Sequence, residues 1–356
     1  SLHERLDAAN IPNIQAINGD MQSILVIRLS SMGDVILATP LVRQLRATYP
    51  SAIIDVAVAE RFADVWKHNP RVSNVFAVPG SQPSGVPASY PVPLPSRPYD
   101  LVVDLQATAR SRALIPQGSR SVMRLNKHRL EKLALVYLKR RPSTVTPIVQ
   151  RYRNVIGALP IVVDSDGPEV WLPEDSSVGA FAREPRAFTG RIAVAPGAHH
   201  FTKRWPAERF AALCRELAGQ GALPVLVGGQ GDVELCSAVA AISGCSVEDR
   251  SGAVSVQDTA RILDTCDALV TNDTGVMHLA AARRLPIVAI FGSTVPDLGF
   301  APYGVPHTIV EHEIACRPCT HIGRSACPRG HFLCMQGITV ETVLHAYTEL
   351  IRRHGN

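Results

Sequence analysis

The sequence predicts an α/β protein made of two successive doubly wound, Rossmann-like halves. Three observations carry this. Apolar runs of strand length alternate with segments of helical period, the alternation occurs twice, and a turn-rich acidic stretch from Pro160 to about Pro185 separates the two rounds. A chain of 356 residues is also too long for one compact core.

Each element follows in order. SILVIRL, Ser23 to Leu29, is a continuous apolar run and reads as a parallel strand buried on both faces. It ends in the small-residue loop Ser30 to Asp34, after which Val35, Ile36, Leu37, Leu41, Val42 and Leu45 recur at helical spacing. Strands follow at Ala52 to Val58 and around Val75 to Val78, with a short helix between them. Seven prolines between Pro79 and Pro98 mark a long surface loop. Leu101 to Leu105 restores the sheet, and a basic helical region comes next. In the second half, Arg191 to Gly197, Pro224 to Gly229, Asp267 to Asp273 and Pro286 to Gly292 each read as a strand ending in a loop or turn. Pro206 stands early in a helix, where its missing N–H costs nothing. Thr339 to Arg352 is a closing amphipathic helix. Two such halves put a cleft between the C-terminal ends of two sheets, where doubly wound folds bind ligands.

The expected domains are therefore 21–165, 166–338 and a C-terminal helix, 339–356, packing back on the N-terminal domain. Residues 1–20 precede the first strand and read as a leader or an appended remnant outside the fold. No apolar run approaches the roughly 20 residues that cross a bilayer, and no signal-peptide pattern opens the chain. A reducing cytosolic setting is then the default for the eight cysteines.

Charge is uneven. The formal net is +5, yet Ala109 to Arg153 holds twelve Lys or Arg and one acid, Glu131. Such a region attracts an anionic partner, unless it is simply a solvated helix face.

Four segments carry candidate chemistry. In Thr271 to Ala282, TNDTGVMHLAAA, Asn272, Asp273 and Thr274 are preferred N-cap types, and Gly275 lets a ligand approach the backbone. Exposed amides at a helix start bind phosphate oxygens, and His278 falls on the same face as Thr274. The plain alternative is a capped helix with a core histidine. GAHHFTKRWP, Gly197 to Pro206, offers Thr202, Lys203 and Arg204 to neutralise a leaving diphosphate without a metal. GGQGDVE, Gly228 to Glu234, is a glycine turn whose Asp232 or Glu234 could take ribose hydroxyls, or nothing more than a turn. Asp34 stands where strand passes into helix, fit to accept a proton from an attacking hydroxyl or merely to cap the helix.

These residues carry a resemblance. LVIRLSSMGDVILATP, DLQATARS (Asp104 to Ser111), PGAHHFTKRWPAERF and NDTGVMHLAAA, in this order, resemble glycosyltransferase family nine, the ADP-heptose heptosyltransferases of lipopolysaccharide assembly. The resemblance implies a GT-B architecture and a metal-independent, inverting transfer. The N-terminal domain takes the acceptor and the C-terminal domain takes the ADP-sugar. Asp34 falls on the family's base. Lys203, Asp273, Thr274, Gly275 and His278 fall on donor-binding positions with Thr202 beside them, and Asp232 or Glu234 falls near the ribose contact. Lys203 and the amides from Thr274 to Val276 are then expected to stabilise the departing diphosphate. Ser30, Ser31, Gly33, Gln106, Arg110, Arg112, Arg120 and Arg124 are the acceptor-side candidates. Ala107 and Thr108 stand where the family commonly has Gly-Asn.

The resulting expectation is heptose transfer from ADP-heptose to an anionic, lipid-linked oligosaccharide, the Kdo- or heptose-bearing inner core. It places the protein in the cytoplasm at the inner face of the cytoplasmic membrane, with no nucleic-acid partner and no catalytic cofactor. Another nucleotide sugar or a protein acceptor is the alternative within the class. A metal-stapled nucleotide-binding module without turnover lies outside it. A dehydrogenase is disfavoured because SSMGD lacks the G-x-G-x-x-G fingerprint. Cys316, Cys319, Cys327 and Cys334 lie within nineteen residues and could close a structural zinc or iron site, or remain unligated thiols.

Overall fold

The computed structural model describes residues 21–80, 97–177 and 187–354. The segment 1–20, most of the proline-rich loop and the last part of the acidic junction lie outside the described residues. The chain divides into two compact units. The first comprises Ser1–Ser30, Ala38–Lys127 and Val149–Asp164; the second comprises Ser31–Leu37, His128–Ile148 and Ser165–Asn356.

The first unit is built on a five-stranded parallel sheet. Its strands are β1 (Ser23–Ile27), β2 (Ile53–Ala59), β3 (Asn74–Val78), β4 (Leu101–Asp104) and β5 (Ser121–Arg124), in the order β3-β2-β1-β4-β5. Central β1 is paired on both sides, with Val26 opposite Val56 and Val103. The continuous apolar run was the signal for this doubly buried position, and Ile24 to Ile27 are indeed fully buried.

After β1 the expected single helix is two: α1 (Met32–Ile36) and α2 (Thr39–Thr48). Pro40 is the cause. It has no N–H to give the carbonyl four residues back, at Ile36, and its ring would strike that carbonyl. The chain therefore turns at Leu37 and Ala38, and Pro40 begins the next helix in the first turn.

The basic region is only partly helical. It holds α3 (Ala109–Arg112), strand β5, α4 (Arg129–Tyr137) and α5 (Ile148–Val155). Ser121 and Met123 are buried while Arg124 is exposed, a period of two that a count of basic residues hides.

The second unit carries a six-stranded parallel sheet. Chain order runs β6 (Arg191–Ala195), α6 (Ala207–Gly219), β7 (Leu223–Leu226), α7 (Val233–Ser243), β8 (Glu248–Asp249), α8 (Val256–Asp264) and β9 (Ala268–Asn272). It continues with α9 (Gly275–Ala282), β10 (Ile287–Phe291), β11 (His307–Glu311), α10 (Leu333–Gln336) and α11 (Val340–His354). The strand order is β11-β10-β9-β6-β7-β8. Every pairing in both sheets is parallel.

One core cluster joins β6, β7, β9 and β10 to the buried faces of α6 and α11. Trp205 sits in it, and its indole N–H donates to the carbonyl of Ile338 at 3.0 Å, so the largest side chain there leaves no buried donor unpaired. The closing helix, expected against the N-terminal domain, buries Val343, Ala346, Tyr347 and Leu350 in this second core instead. Its apolar stripe recurs at three- and four-residue spacing and needs one continuous apolar face, which the sheet with α6 supplies. Among the described residues no helix is long and apolar enough to cross a membrane.

Candidate active site

The loops after β6, β7, β9 and β10 all leave the C-terminal edge of the second sheet. β6 and β9 are neighbours there, so the TKRW and TND loops meet side by side. Asn272 locks them together. Its amide donates to the Pro196 carbonyl at 2.8 Å and its oxygen accepts the Trp205 backbone N–H at 3.0 Å. The sequence offers Asn272 only as an N-cap type; its buried cross-loop role becomes visible once the strand order is known.

Lys203 and Asp273 are brought into contact by this arrangement, Nζ to Oδ2 at 2.6 Å, both largely buried. The same carboxylate oxygen accepts the Thr294 hydroxyl at 2.7 Å, from the loop after β10. Thr294 is a site residue that the sequence reading missed. Its only signal is a small polar residue just past a strand end.

Helix α9 starts beside this pair. Thr274 is its N-cap with extended backbone, but the Thr274 side chain makes no cap bond. Its Oγ1 is buried without a hydrogen-bond partner, as is Nδ1 of His278 one turn on. Buried polar atoms are normally satisfied. Two orphans on one face of a helix start, next to amides that lack intrahelical acceptors, mark a place for an acceptor-rich ligand. Burial pushes the His278 ring down to about 4, against the pull of Asp273 and Asp34 and with help from Lys203. The ring is therefore neutral near pH 7 and acts as a hydrogen-bonding group, not a charge.

Helix α1 lies against α9 within the same unit. Gly33 packs on the His278 ring so closely that a Cβ at Gly33 would stand 2.5 Å from Cδ2. Gly275 is matched in the same way against Met32. Asp34 Oδ2 accepts from the Ser31 backbone N–H at 3.1 Å and from the Ser31 hydroxyl at 2.7 Å. Asp34 thus does cap its helix, and it does so within the unit that holds the TKRW and TND loops.

The remaining donor-side candidates divide. Thr202 is buried and its hydroxyl is engaged, accepting from the Arg324 backbone N–H at 2.8 Å and from the Ser293 hydroxyl at 2.9 Å. It ties the TKRW loop to the cysteine loop. Asp232 accepts the Gly229 N–H at 3.0 Å and fills the space beside Gly197 and Gly228, where a Cβ at either glycine would collide with it. Glu234 is exposed in the first turn of α7. Val276 follows Gly275 in the first turn of α9.

Of the acceptor-side candidates in the first unit, Ser30, Gln106 and Arg124 lie at the C-terminal ends of β1, β4 and β5. Arg120 precedes β5 beside Asp100, at the opposite, N-terminal edge of the same parallel sheet, and so does not join them. Gln106 Oε1 accepts the backbone N–H groups of Leu29 and Ser30 at 3.1 and 3.3 Å, bridging the two strand ends. Arg120 pairs with Asp100 at 3.3 Å and Arg124 approaches Asp104 at 3.7 Å. Arg110 donates to the Pro79 carbonyl, and Arg112 is exposed. Part of the positive charge is thus answered within the unit itself.

Cys316, Cys319, Cys327 and Cys334 line one cavity of about 220 Å³ with His331, and Cys316 Sγ lies 3.8 Å from His331 Nε2. Arg317, nearly fully buried, pins this loop to the end of β10 through the carbonyls of Phe291, Gly292 and Thr294 and an ion pair with Glu311 at 2.8 Å. The Cys327 thiol is lowered. Burial opposes this, but the backbone amides of Arg329, Phe332, Gly330 and His331 outweigh it. Among the described residues, however, no three His, Cys, Asp or Glu side chains converge closely enough to hold a metal ion.

Known proteins share this fold. A solved glycosyltransferase family 9 structure from Veillonella parvula superposes with a TM-score of 0.71 at 22% identity, covering 94% of this chain and 98% of that one. Heptosyltransferase WaaC from E. coli, solved with ADP, gives a TM-score of 0.68 at 21% identity over 92% and 100%. Lipopolysaccharide heptosyltransferase 2 of Salmonella typhimurium is 30% identical over 302 residues, 77% of this chain and 84% of that protein. The fold is GT-B and the class is glycosyltransferase. The family model described as "Glycosyltransferase family 9 (heptosyltransferase)" matches residues 93–328, and the chain belongs to that family.

Proposed function

We propose that this enzyme transfers heptose from ADP-heptose to an anionic, lipid-linked inner-core acceptor, with inversion and without a catalytic metal. One observation carries the donor side. The two orphaned buried polar atoms, Thr274 Oγ1 and His278 Nδ1, lie at the start of α9 beside the Lys203–Asp273 pair. A diphosphate supplies the acceptors these groups lack. Its oxygens would take the amides of Thr274, Gly275 and Val276, and the Lys203 ammonium offsets charge developing on the leaving ADP. Family membership supports the sugar and the acceptor class.

Asp34 is the proposed base. It takes the proton of the acceptor hydroxyl as that oxygen attacks the anomeric carbon, and the bond to ADP breaks on the opposite face. With a cationic side chain and helix amides at the diphosphate, no metal is required to stabilise the leaving group. Ser30, Ser31, Gly33, Gln106 and the arginines 110, 112 and 124 form the acceptor side of the reading; Arg120, at the other edge of the sheet, drops out of it. The setting is the cytoplasmic face of the inner membrane, with peripheral attachment. Asp232 and Glu234 remain the ribose candidates; Asp232 is buttressed by two glycines and so has the more fixed position.

A zinc or iron at the cysteine loop belongs to this reading as a structural element only. The shared cavity and the amides around Cys327 support it, and the sulfurs must draw together for it to form. Elemental analysis of protein purified without chelator is expected to find one metal per chain, and a metal-free, fully folded protein would remove it.

The transfer itself is tested by incubating purified enzyme with ADP-heptose, other nucleotide sugars, and inner-core, truncated or protein acceptors, then weighing the products. A mass gain of one heptose on the inner-core acceptor alone supports the reading. Tight ADP binding with no product on any acceptor overturns it.

A further inference from the structure

Helix α4 has two apolar faces, and its own unit covers one. Leu135 and Val136 are buried, with Leu135 packed on Val295, Leu298 and Phe300. Just past the helix, Lys139 donates to the carbonyls of Val136, Cys316 and Pro318, which fixes its C-terminal end to the cysteine loop. The opposite face presents Leu130, Leu133 and Tyr137 at spacings of three and four, and Leu138 follows. They are 81%, 50%, 70% and 75% exposed. Leu130, Leu138 and Tyr137 are three of the four most exposed large apolar side chains among the described residues. Scattered exposed leucines are ordinary, but a contiguous stripe on a rigidly anchored helix is not.

Charge surrounds this stripe. Lys127 to Arg141 contains six Lys or Arg and one acid, Glu131, so its formal +5 equals the net charge of the whole chain. Glu131 is occupied by His128 at 2.8 Å, and Arg141 leans towards Asp297 and Glu313 at 3.9 and 3.8 Å. Arg129 and Arg140 are exposed at the two ends of the stripe. An apolar strip flanked by cations matches a bilayer interface with anionic headgroups, where the apolar groups enter the acyl boundary and the cations stay at the phosphates. A protein partner of complementary shape would be expected to meet fewer cations around its apolar centre.

We infer that α4 is the membrane-docking element of this enzyme, seating Leu130, Leu133, Tyr137 and Leu138 in the surface of an anionic bilayer. This deepens the proposed peripheral attachment and rests on that reading for its biological setting. The helix is anchored to the unit that carries the proposed donor loops, so docking would hold those loops at the surface where a lipid-linked acceptor resides.

The test is flotation of the full chain with phosphatidylcholine vesicles, with and without phosphatidylglycerol. Binding is expected only with phosphatidylglycerol, and it should weaken as salt rises. The double variant Leu130→Glu/Leu138→Glu should lose at least about tenfold in vesicle affinity, since carboxylates replace two apolar groups at an anionic surface. Both positions are exposed, so thermal unfolding and ADP binding should be unchanged, as should transfer to a soluble, delipidated acceptor. Absence of wild-type binding to either vesicle, or equal binding by the variant, overturns the inference. A concentration-dependent dimer that the variant abolishes, without vesicle binding, reassigns the face to a second copy of the chain. Vesicle binding is read without turnover. Its failure beside intact transfer to the soluble acceptor therefore rejects docking alone, whereas failed transfer beside intact vesicle binding rejects the proposed reaction.

Discussion

Gly33 and His278 are in van der Waals contact, and no side chain larger than hydrogen fits at position 33: an added Cβ would lie 2.5 Å from the ring Cδ2 and 3.3 Å from Nε2. The contact couples the helix bearing Asp34 to the helix start proposed to hold the diphosphate. Moving either group displaces the other.

Gly33→Ala should therefore cost more than its single methyl suggests. Overpacking of a closed contact typically costs about 1–3 kcal/mol. His278 is buried and has little room to retreat, so α1 should shift instead. A lower melting temperature and at least about a tenfold drop in transfer rate are expected, with ADP affinity affected less. Transfer at the wild-type rate would show that the position of α1 does not matter to the chemistry.

The Lys203–Asp273 pair predicts an effect on folding as well as on binding. Both side chains are largely out of water, and removing one charge leaves the other buried. Breaking such a pair costs about 3–5 kcal/mol. Lys203→Met should thus lower stability in denaturant titrations and weaken ADP binding by at least about tenfold. Lys203→Met combined with Asp273→Asn should recover part of the stability but none of the ADP affinity. Recovery of ADP affinity in the double variant would argue that Lys203 serves the fold alone.

His278 makes stability depend on pH with a definite sign. Its ordinary value is 6.5 and the folded value is about 4, because burial disfavours the charged ring. The unfolded chain then takes up a proton that the folded chain refuses. The stabilisation is complete above pH 6.5, declines as pH falls, and is lost once pH passes below about 4; over that window it amounts to about 3 kcal/mol. His278→Asn, which cannot titrate, should show a flatter dependence of unfolding free energy across the same range. An unchanged slope would mean that other groups carry the acid sensitivity.

Asp34→Asn separates the two roles of this side chain. An amide oxygen can still accept the Ser31 N–H and hydroxyl, so the cap is largely retained. It cannot take a proton from an acceptor hydroxyl at working pH. Transfer should fall by at least about a hundredfold, given the usual size of general-base contributions, while ADP binding and melting temperature stay near wild type. Substantial residual transfer in a folded Asp34→Asn enzyme would reduce Asp34 to a helix cap.

Much of this protein could be read before its fold was known, because the readable features are local. Buried parallel strands announce themselves as continuous apolar runs, as in β1, β6, β9 and β10. Helix starts announce themselves by polar caps and glycine, as at Thr274 and Gly275. The motif order alone was enough to suggest the family. Features that depend on a partner far along the chain stayed hidden. The break after Ile36 has a local cause in Pro40, but β5 was masked by its basic neighbours, since pairing with β4 and not composition makes it a strand.

The tertiary structure alone decided which residues meet. Asn272 bridges two loops 76 positions apart because β6 and β9 are adjacent in the sheet. Thr294 reaches Asp273 because β10 flanks β9 on the other side. Thr202, which the sequence offers as a donor contact, spends its hydroxyl on Arg324 and Ser293, and Asp34 shares a unit with His278 although more than two hundred residues separate them. Hydrophobic period and capping preference act over a few residues and are written in the sequence. Hydrogen-bond partners across strand ends are set by sheet order, which depends on how the whole chain packs.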